Sequence, residues 1–217
     1  MYRYGFIGTG NMGAALARAL NKEFSVALAN RTADKAKVLA NKLGFTATSN
    51  EDIAQTSAFV VLGVKPQMLP ELCPTISDFL EKNALENGKK PIIVTMAAGV
   101  KMATLCEMLG CDYPIIRIMP NTPVAIGEGV ILASKNAFVT DKDFDEFIKD
   151  FSEAGSIHEL PENLIDAGTV VSGCGPAYIY MYIEALAKAG ESLGLDRETA
   201  VMLAKGTAKG AASLSIE

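Results

Sequence analysis

The sequence has few of the residues that hold metals, and it has no long apolar run. Its one histidine is His158, and its four cysteines show no Cys-x-x-Cys spacing. This scarcity disfavours a structural zinc site, and without a secretory signal the cysteines are expected to be reduced thiols. No apolar run reaches the roughly 18 residues of a membrane-spanning helix. The first residues form a strand pattern rather than a signal peptide, so the sequence predicts a cytoplasmic protein.

Positive charge is also scarce. Lysine and arginine together number 20 against 25 aspartates and glutamates, and the net charge of −5 disfavours nucleic acid or an anionic membrane as a partner. Hydrophobic residues make up 49% of the chain, which is enough for a globular fold with a good core. The motifs Gly-x-Ser-x-Gly and His-Glu-x-x-His and the P-loop lysine are missing, so the enzyme classes that they mark are disfavoured.

A glycine motif stands out at the start of the chain. The short apolar run Tyr4–Ile7 leads directly into Gly8–Gly13, a Gly-x-Gly-x-x-Gly motif that opens a helix rich in alanine and leucine. In a dinucleotide site, Gly8 permits the tight turn, Gly10 lets the backbone approach a pyrophosphate, and Gly13 lets the helix pack closely on the strand. The N–H groups of the helix N-terminus attract the phosphates. This strand-turn-helix context predicts dinucleotide binding.

The end of the second predicted strand indicates which dinucleotide is bound. An NAD site usually has an acidic residue about 20 residues after the glycines, where it bonds the ribose 2′-hydroxyl. This chain has Asn30, Arg31 and Thr32 there, with Lys35 close by. A guanidinium attracts a 2′-phosphate that a carboxylate would repel, so we expect NADP(H). Alternatively, Arg31 is only a solvated residue at the start of a helix.

Strand and helix patterns alternate from residue 1 to residue 160. Continuous apolar runs such as Ala58–Val64 and Pro91–Met96 are typical of strands that are buried on both faces. Between these two runs, we predict a helix over Pro66–Asn83 that is broken by Pro70 and Pro74. The alternation predicts an α/β fold with a doubly wound, mostly parallel sheet of the Rossmann type.

Only helix patterns follow residue 160. They cover Glu162–Val171, Gly175–Ser192 and Asp196–Ser215, and the last two are rich in alanine and large apolar residues. Three helices form a thin core, so we expect them to pack against a second copy of the chain. The sequence thus predicts two domains: a dinucleotide-binding domain over residues 1–160 and a small all-helical dimerisation domain over residues 161–217.

Three further segments follow predicted strands, at the edge of a parallel sheet where ligands bind. They are Gly63–Pro66, Met96–Gly99 and Met119–Pro123. Small residues and prolines beside strand ends suit a flat nicotinamide ring that lies against backbone, and Lys65 suits a phosphate or a ribose. Each segment alone is equally compatible with an ordinary turn, because Gly, Pro and Asn are common turn residues.

The lack of an evident acid and base in the sequence fits the reduction of an imine. An enzyme that oxidises an alcohol needs a base for the hydroxyl proton, usually histidine or lysine. His158 lies alone on a late predicted strand, and we interpret it as structural. A cyclic imine can be protonated in solution, so its enzyme mainly aligns hydride donor and acceptor and holds the substrate carboxylate.

Taken together, the segments resemble the pyrroline-5-carboxylate reductases, in order along all 217 residues. The most specific pieces are Met-Pro-Asn-Thr-Pro and Ser-Gly-x-Gly-Pro-Ala-Tyr. The matching segments are Gly5–Gly13, Val64–Gln67, Ala97–Val100, Arg117–Pro123, Ser172–Tyr178 and Glu184–Leu186.

The resemblance implies NADPH-dependent reduction of 1-pyrroline-5-carboxylate to L-proline, the last step of proline biosynthesis, with NADH as an alternative donor. It also implies a homodimer through the C-terminal helices, and in the family such dimers assemble into larger rings. No metal and no particular catalytic residue follow from it. The implied substrate contacts are Asn121 and Glu162. The implied cofactor contacts are Ile7, Gly8, Thr9, Gly10, Asn11, Met12, Asn30, Arg31, Thr32, Asn50, Gly63, Val64, Lys65, Pro66, Met96, Ala97 and Ala98.

The sequence departs from the family pattern at three places. Cys174 stands where serine is usual, and Lys188 stands where aspartate is usual. The family also continues past the position of Glu217, through a Ser-Pro-Gly-Gly-Thr-Thr loop that binds the substrate carboxylate. We therefore expect this chain to be short at its C-terminal end relative to the family.

Two other functions fit parts of the sequence. The 3-hydroxyacid dehydrogenases also open with a glycine turn, but they use a lysine and an asparagine where this chain has Ile179 and Ile183. The second alternative is a protein that binds NADP(H) without any catalysis. NADPH binding without turnover of an imine would distinguish that protein from a reductase.

Overall fold

The computed structural model describes residues 1–214, which form an α/β sheet followed by helices. The strands are β1 (Tyr2–Ile7), β2 (Val26–Ala29), β3 (Thr46–Ala47), β4 (Ser57–Leu62), β5 (Ile92–Thr95), β6 (Ile115–Pro120), β7 (Gly129–Lys135) and β8 (Gly155–Glu159). The α-helices are α1 (Asn11–Ala19), α2 (Ala33–Leu43), α3 (Asn50–Thr56), α4 (Leu69–Asn87), α5 (Met102–Leu109), α6 (Asp141–Asp150), α7 (Ile165–Ser172), α8 (Gly175–Ser192) and α9 (Arg197–Ser213).

The eight strands form one sheet in the order β3-β2-β1-β4-β5-β6-β7-β8. The first six strands are parallel, and β7 runs antiparallel to β6. The reversal of strand order on either side of β1 places a crevice at the carboxyl ends of β1, β2 and β4. The predicted doubly wound, mostly parallel Rossmann sheet is therefore confirmed.

Both faces of the sheet are covered, which explains the continuous apolar runs of the strands. Val60, Val61 and Leu62 of β4 alternate between the two faces and are all fully buried. One face carries an aromatic group in which the Tyr4 and Phe59 rings stack with centroids 4.8 Å apart. The opposite face packs against α3, α4 and α5. A strand covered on both sides cannot show the alternation of apolar and polar residues that a half-exposed strand shows.

Local signals set several element ends. Gly44 follows α2 in the left-handed region, with φ of 76°, and closes the helix with an N–H bond to the carbonyl of Ala40. The hydroxyl of Ser49 accepts from the N–H of Asp52 and caps α3. The carboxylate of Asp196 accepts from the N–H of Thr199 and caps α9.

The prediction that prolines break the fourth helix is wrong. A single 3-10 turn over Pro66–Met68 leads into α4, which runs without interruption from Leu69 to Asn87. Pro70 lies in the first turn of α4, where no backbone N–H is needed. Pro74 lies one turn further on and is accommodated inside the helix.

The C-terminal helices differ in what they cover. Ile165 of α7 packs against Met119 and Leu132 of the sheet, whereas α8 and α9 pack on each other around Ala187, Ala200 and Ala204. The predicted end of the last helix at Ser215 lies outside the described residues. Among the described helices, none combines the length and the apolar character that crossing a membrane requires.

Candidate functional site

Three glycines hold the ends of β1 and β4 and the start of α1 against one another. Gly8 has φ of 98°, a conformation that side chains other than glycine rarely adopt. A Cβ atom at Gly13 or at Gly63 would overlap the carbonyl oxygen of Gly8. The predicted roles of Gly8 in the turn and of Gly13 in close packing agree with this geometry. The motif alone did not indicate that Gly63, 50 residues further on, completes the contact.

Gly10 is different, because nothing lies within 4 Å of the position that its Cβ would occupy. Its φ of −67° is open to any residue, so neither the fold nor the backbone requires glycine there. The open space lies over the N-terminus of α1, where unpaired N–H groups favour an anion. Beside it, the amide of Asn30 donates to the hydroxyl of Thr9 at 2.9 Å and ties the end of β2 to the glycine turn.

A cleft of about 1260 Å³ opens over this turn. Small-molecule pockets usually measure about 300–1,000 Å³, so the cleft suits an extended ligand. It brings together residues from the ends of β1, β2 and β4 that are far apart in the sequence. Of the predicted cofactor contacts, the residues lining the cleft are Ile7, Gly8, Thr9, Gly10, Asn11, Asn30, Arg31, Asn50, Gly63, Val64 and Lys65.

Cations predominate along the cleft, although the whole chain has an excess of acidic residues. Five cationic side chains and two carboxylates line it. Such a local reversal of charge attracts an anionic ligand. The cations are Arg18, Arg31, Lys35, Lys42 and Lys65, and the carboxylates are Asp34 and Glu71.

Several residues of the cleft were not identified from the sequence. Arg18 reaches it from α1, Val38 from α2 and Leu72 from α4. The helical spacing of Ala14, Ala15 and Arg18 could have indicated a common face of α1, but nothing in the sequence says that this face borders a cleft.

The remaining predicted cofactor contacts lie outside the lining of this cleft. Met12 and Met96 pack against the core on one face of the sheet, and Ala97 is buried on the other. Ala98 and Thr32 are exposed, and Pro66 is half-buried. Met96, Ala97 and Ala98 directly follow β5, so they stand at the same edge of the sheet as the glycine turn.

The two predicted substrate contacts are already engaged within the chain. The side-chain amide of Asn121 donates to the carbonyl of Ser172 and accepts from the N–H of Val130. The Glu162 carboxylate accepts from the N–H of Met102 at 2.7 Å and lies 3.4 Å from the guanidinium of Arg117. Both side chains therefore join the helical part of the chain to the sheet or to the loops beside it.

The strand order, the glycine turn and the cationic cleft define a protein of the Rossmann, dinucleotide-binding class. Comparison with family models agrees. Residues 3–99 match the model "NADP oxidoreductase coenzyme F420-dependent". Residues 162–217 match the model "Pyrroline-5-carboxylate reductase dimerisation".

Individual relatives identify the family. The pyrroline-5-carboxylate reductase of Mycobacterium leprae is 35% identical over 222 residues, covering 100% of this chain and 74% of that protein. A Plasmodium falciparum pyrroline carboxylate reductase structure with NADP bound is 30% identical, with a TM-score of 0.84, 98% of this chain covered and 78% of that one. A Coxiella burnetii pyrroline-5-carboxylate reductase structure is 29% identical, with a TM-score of 0.87 and coverages of 98% and 79%. The chain belongs to the pyrroline-5-carboxylate reductase family, a family of NAD(P)H-dependent oxidoreductases.

Proposed function

We propose that this protein reduces 1-pyrroline-5-carboxylate to L-proline by transfer of a hydride from NADPH to the imine carbon, as the last step of proline biosynthesis. The observation that carries the proposal is the cleft, which is lined both by Gly10, with open space beside it, and by the cationic Arg31 at the end of β2. Family membership supports the substrate, since the curated relatives that match the whole chain are named for it.

NADPH is the cofactor that the charges favour. The N-terminus of α1 would hold the pyrophosphate, and Arg31 with Lys35 would hold the 2′-phosphate through charge-assisted hydrogen bonds. NADP is bound in the Plasmodium falciparum relative, which supports this assignment. NADH lacks the 2′-phosphate, so it would be the weaker donor.

When bound, NADPH supplies a hydride that forms the new C–H bond, while the C=N bond becomes a single bond. The chain mainly orients the reactants, because a protonated imine is already electrophilic. The loop after β5, with Met96, Ala97 and Ala98, would support the nicotinamide. Asn121 and Glu162 stay our predicted substrate contacts, and we assign no residue to proton transfer.

We further propose that the protein is a cytoplasmic homodimer whose second domain, residues 161–217, forms the interface, and that the dimers can join into a ring. On α8, the side chains of Tyr178, Ile179, Tyr180, Met181 and Tyr182 are all more than half exposed. Five consecutive residues cover the whole circumference of a helix, so α8 exposes large apolar side chains all round, as a helix that packs in an interface does. The match to a dimerisation family over residues 162–217 supports a homo-oligomer.

Turnover of pyrroline-5-carboxylate tests the proposed reaction. Oxidation of NADPH by the 217-residue chain would be followed through the absorbance of the reduced nicotinamide, with a 3-hydroxyacid and NADP⁺ as the comparison substrate pair. We expect turnover of the cyclic imine alone. NADPH binding without turnover would contradict the proposal and favour a binding protein, and oxidation of the 3-hydroxyacid would favour a dehydrogenase.

A further inference from the structure

A row of three polar residues crosses one face of the sheet. Thr95 of β5, Arg117 of β6 and Ser134 of β7 are aligned partners on neighbouring strands. Aligned partners point to the same face. All three are buried, and the side chain of Arg117 is 2% exposed. A buried guanidinium requires partners, because an unpaired buried charge is costly.

The partners of Arg117 come from the helical part of the chain. Its Nη1 lies 3.4 Å from Oε1 of Glu162, and its Nη2 donates to Oδ1 of Asp166 at 2.8 Å. Ile165, between these two carboxylates, packs on Met119 and Leu132 of the sheet. Arg117 therefore sits at the junction where α7 meets the face of β6 and β7.

Glu162 continues this connection to the loop between β5 and α5. The same Oε1 atom that faces Arg117 also accepts the N–H of Met102, the first residue of α5, at 2.7 Å. At the other end of the loop, the N–H of Ala97 donates to the hydroxyl of Thr95 at 3.3 Å. The segment from residue 97 to residue 102 is thus fixed at both ends by side chains of one polar cluster.

We propose that Arg117 and Glu162 are positioning residues that hold the 96–101 loop in the shape that receives the nicotinamide of NADPH. The inference rests on the proposed function, because it takes that loop as the nicotinamide support. Arg117 orients the Glu162 carboxylate, and the carboxylate anchors the N–H of Met102. In this arrangement, Glu162 acts on the cofactor through the loop, in addition to its proposed contact with the substrate.

The Kd for NADPH reports the positioning role of Glu162, whereas the KM for pyrroline-5-carboxylate reports its proposed contact with the substrate. Glu162→Ala removes the acceptor of the Met102 N–H, so we expect the Kd for NADPH to rise about tenfold, the scale of one hydrogen bond to a charged group. Glu162→Gln keeps an oxygen that can accept the same N–H, and it should restore most of the NADPH affinity.

Asp166→Asn is the matched control. Asp166 contacts the same guanidinium, but its side chain is 73% exposed, and its bond to Arg117 does not reach the loop. We expect its Kd for NADPH to stay within about twofold of the original value. Arg117→Lys keeps the buried charge but loses the two-pronged geometry. It should weaken NADPH about threefold although its side chain is buried away from the cleft.

Calorimetric titration of the full chain with NADPH, steady-state kinetics and amide hydrogen exchange would test these expectations. Exchange at Met102 should accelerate in Glu162→Ala and stay slow in Glu162→Gln. The inference is overturned if Glu162→Ala raises only the KM for the imino acid, if Asp166→Asn matches it in NADPH binding, or if Met102 exchange does not change. If the unsubstituted chain binds no NADPH, the proposed function fails, whereas the exchange result still decides whether Glu162 holds the loop.

Discussion

Arg31 stands exposed at the end of β2, and the choice of cofactor depends on it at the scale of a single residue. Asn30 beside it is occupied by Thr9 of the glycine turn, so its amide is committed to the loop. The guanidinium of Arg31 borders the cleft together with Lys35. A 2′-phosphate at this place would gain charge-assisted hydrogen bonds that a 2′-hydroxyl cannot make.

Arg31→Asp should therefore weaken NADPH far more than NADH. We expect the Kd for NADPH to rise at least about tenfold, which corresponds to ~1.4 kcal/mol, and the Kd for NADH to change by less than about threefold. Lys142→Asp makes the same change of charge on α6, at an exposed residue outside the cleft lining, and it should leave both constants near their original values. Equal losses for the two cofactors in Arg31→Asp would contradict the assignment.

The burial of Cys73 makes the stability of the protein depend on pH. It raises the pKa of the Cys73 thiol from 9.0 to about 11. Because the folded state holds this proton more tightly than the unfolded state, its contribution to stability is complete below about pH 9 and is lost as the pH rises towards about 11. The free energy of unfolding, measured with urea, should fall across that range.

Substitution of cysteines checks this source of pH dependence. In Cys73→Ala the decline of unfolding free energy between about pH 9 and pH 11 should become shallower, even though the smaller side chain lowers stability overall. Cys106→Ala removes a thiol that is only partly buried and is the control for the loss of a cysteine as such. An unchanged slope in Cys73→Ala would assign the decline to other groups, such as Tyr113, whose pKa burial raises to about 12.

At the scale of elements, the glycine turn serves the fold and the ligand through different residues. Gly63 is in contact with Gly8 and Gly13 where β4 meets β1 and α1, whereas Gly10 faces open space. Sequence reasoning assigned Gly8, Gly10 and Gly13 their roles from the motif. It could not assign Gly63 its packing role, because that role exists only once β4 is placed beside β1.

Alanine at Gly10 should therefore affect NADPH binding, whereas alanine at Gly63 should affect stability. Gly10→Ala should leave the free energy of unfolding within about 0.5 kcal/mol, since its Cβ meets nothing, and should weaken NADPH about tenfold by filling the space over α1. Gly63→Ala should lower the free energy of unfolding by about 1–3 kcal/mol, since its Cβ would overlap the Gly8 carbonyl. Chemical denaturation and NADPH titration measure both. A destabilised Gly10→Ala, or a Gly63→Ala of unchanged stability, would contradict this division of roles.

The molecule as a whole presents two different surfaces. The cleft edge of the sheet is polar and cationic, whereas α8 and α9 present large apolar side chains around a small core of alanines. Three buried alanines cannot stabilise two helices of 18 and 17 residues that expose this much apolar surface. A second copy of the chain would cover it.

Met181→Glu should disrupt the dimer while leaving the sheet folded. Met181 is 70% exposed on α8, and a carboxylate there would be buried without a partner in the interface. Leu85→Glu on α4 makes a comparable change at a residue that is 83% exposed, outside the predicted interface. Light scattering at micromolar concentration should report a monomer for Met181→Glu and a dimer for Leu85→Glu. A Met181→Glu variant that remains dimeric would show that Met181 lies outside the dimer interface.

The sequence by itself determined the features that depend on neighbouring residues. Apolar runs and helix patterns placed most elements, and the glycine turn with Arg31 indicated the cofactor, since such signals act within a few residues. It misjudged α4, in which Pro70 lies in the first turn, where no N–H is needed, and Pro74 is accommodated inside the helix.

Only the tertiary structure decided the features that join distant segments. The packing of Gly63 against Gly8 spans 55 residues, and the contact of Arg117 with Glu162 spans 45. Arg117 was visible in the sequence only as part of a motif, without a role. Its burial and its partners depend on where α7 packs on β6 and β7, and no local pattern specifies that packing.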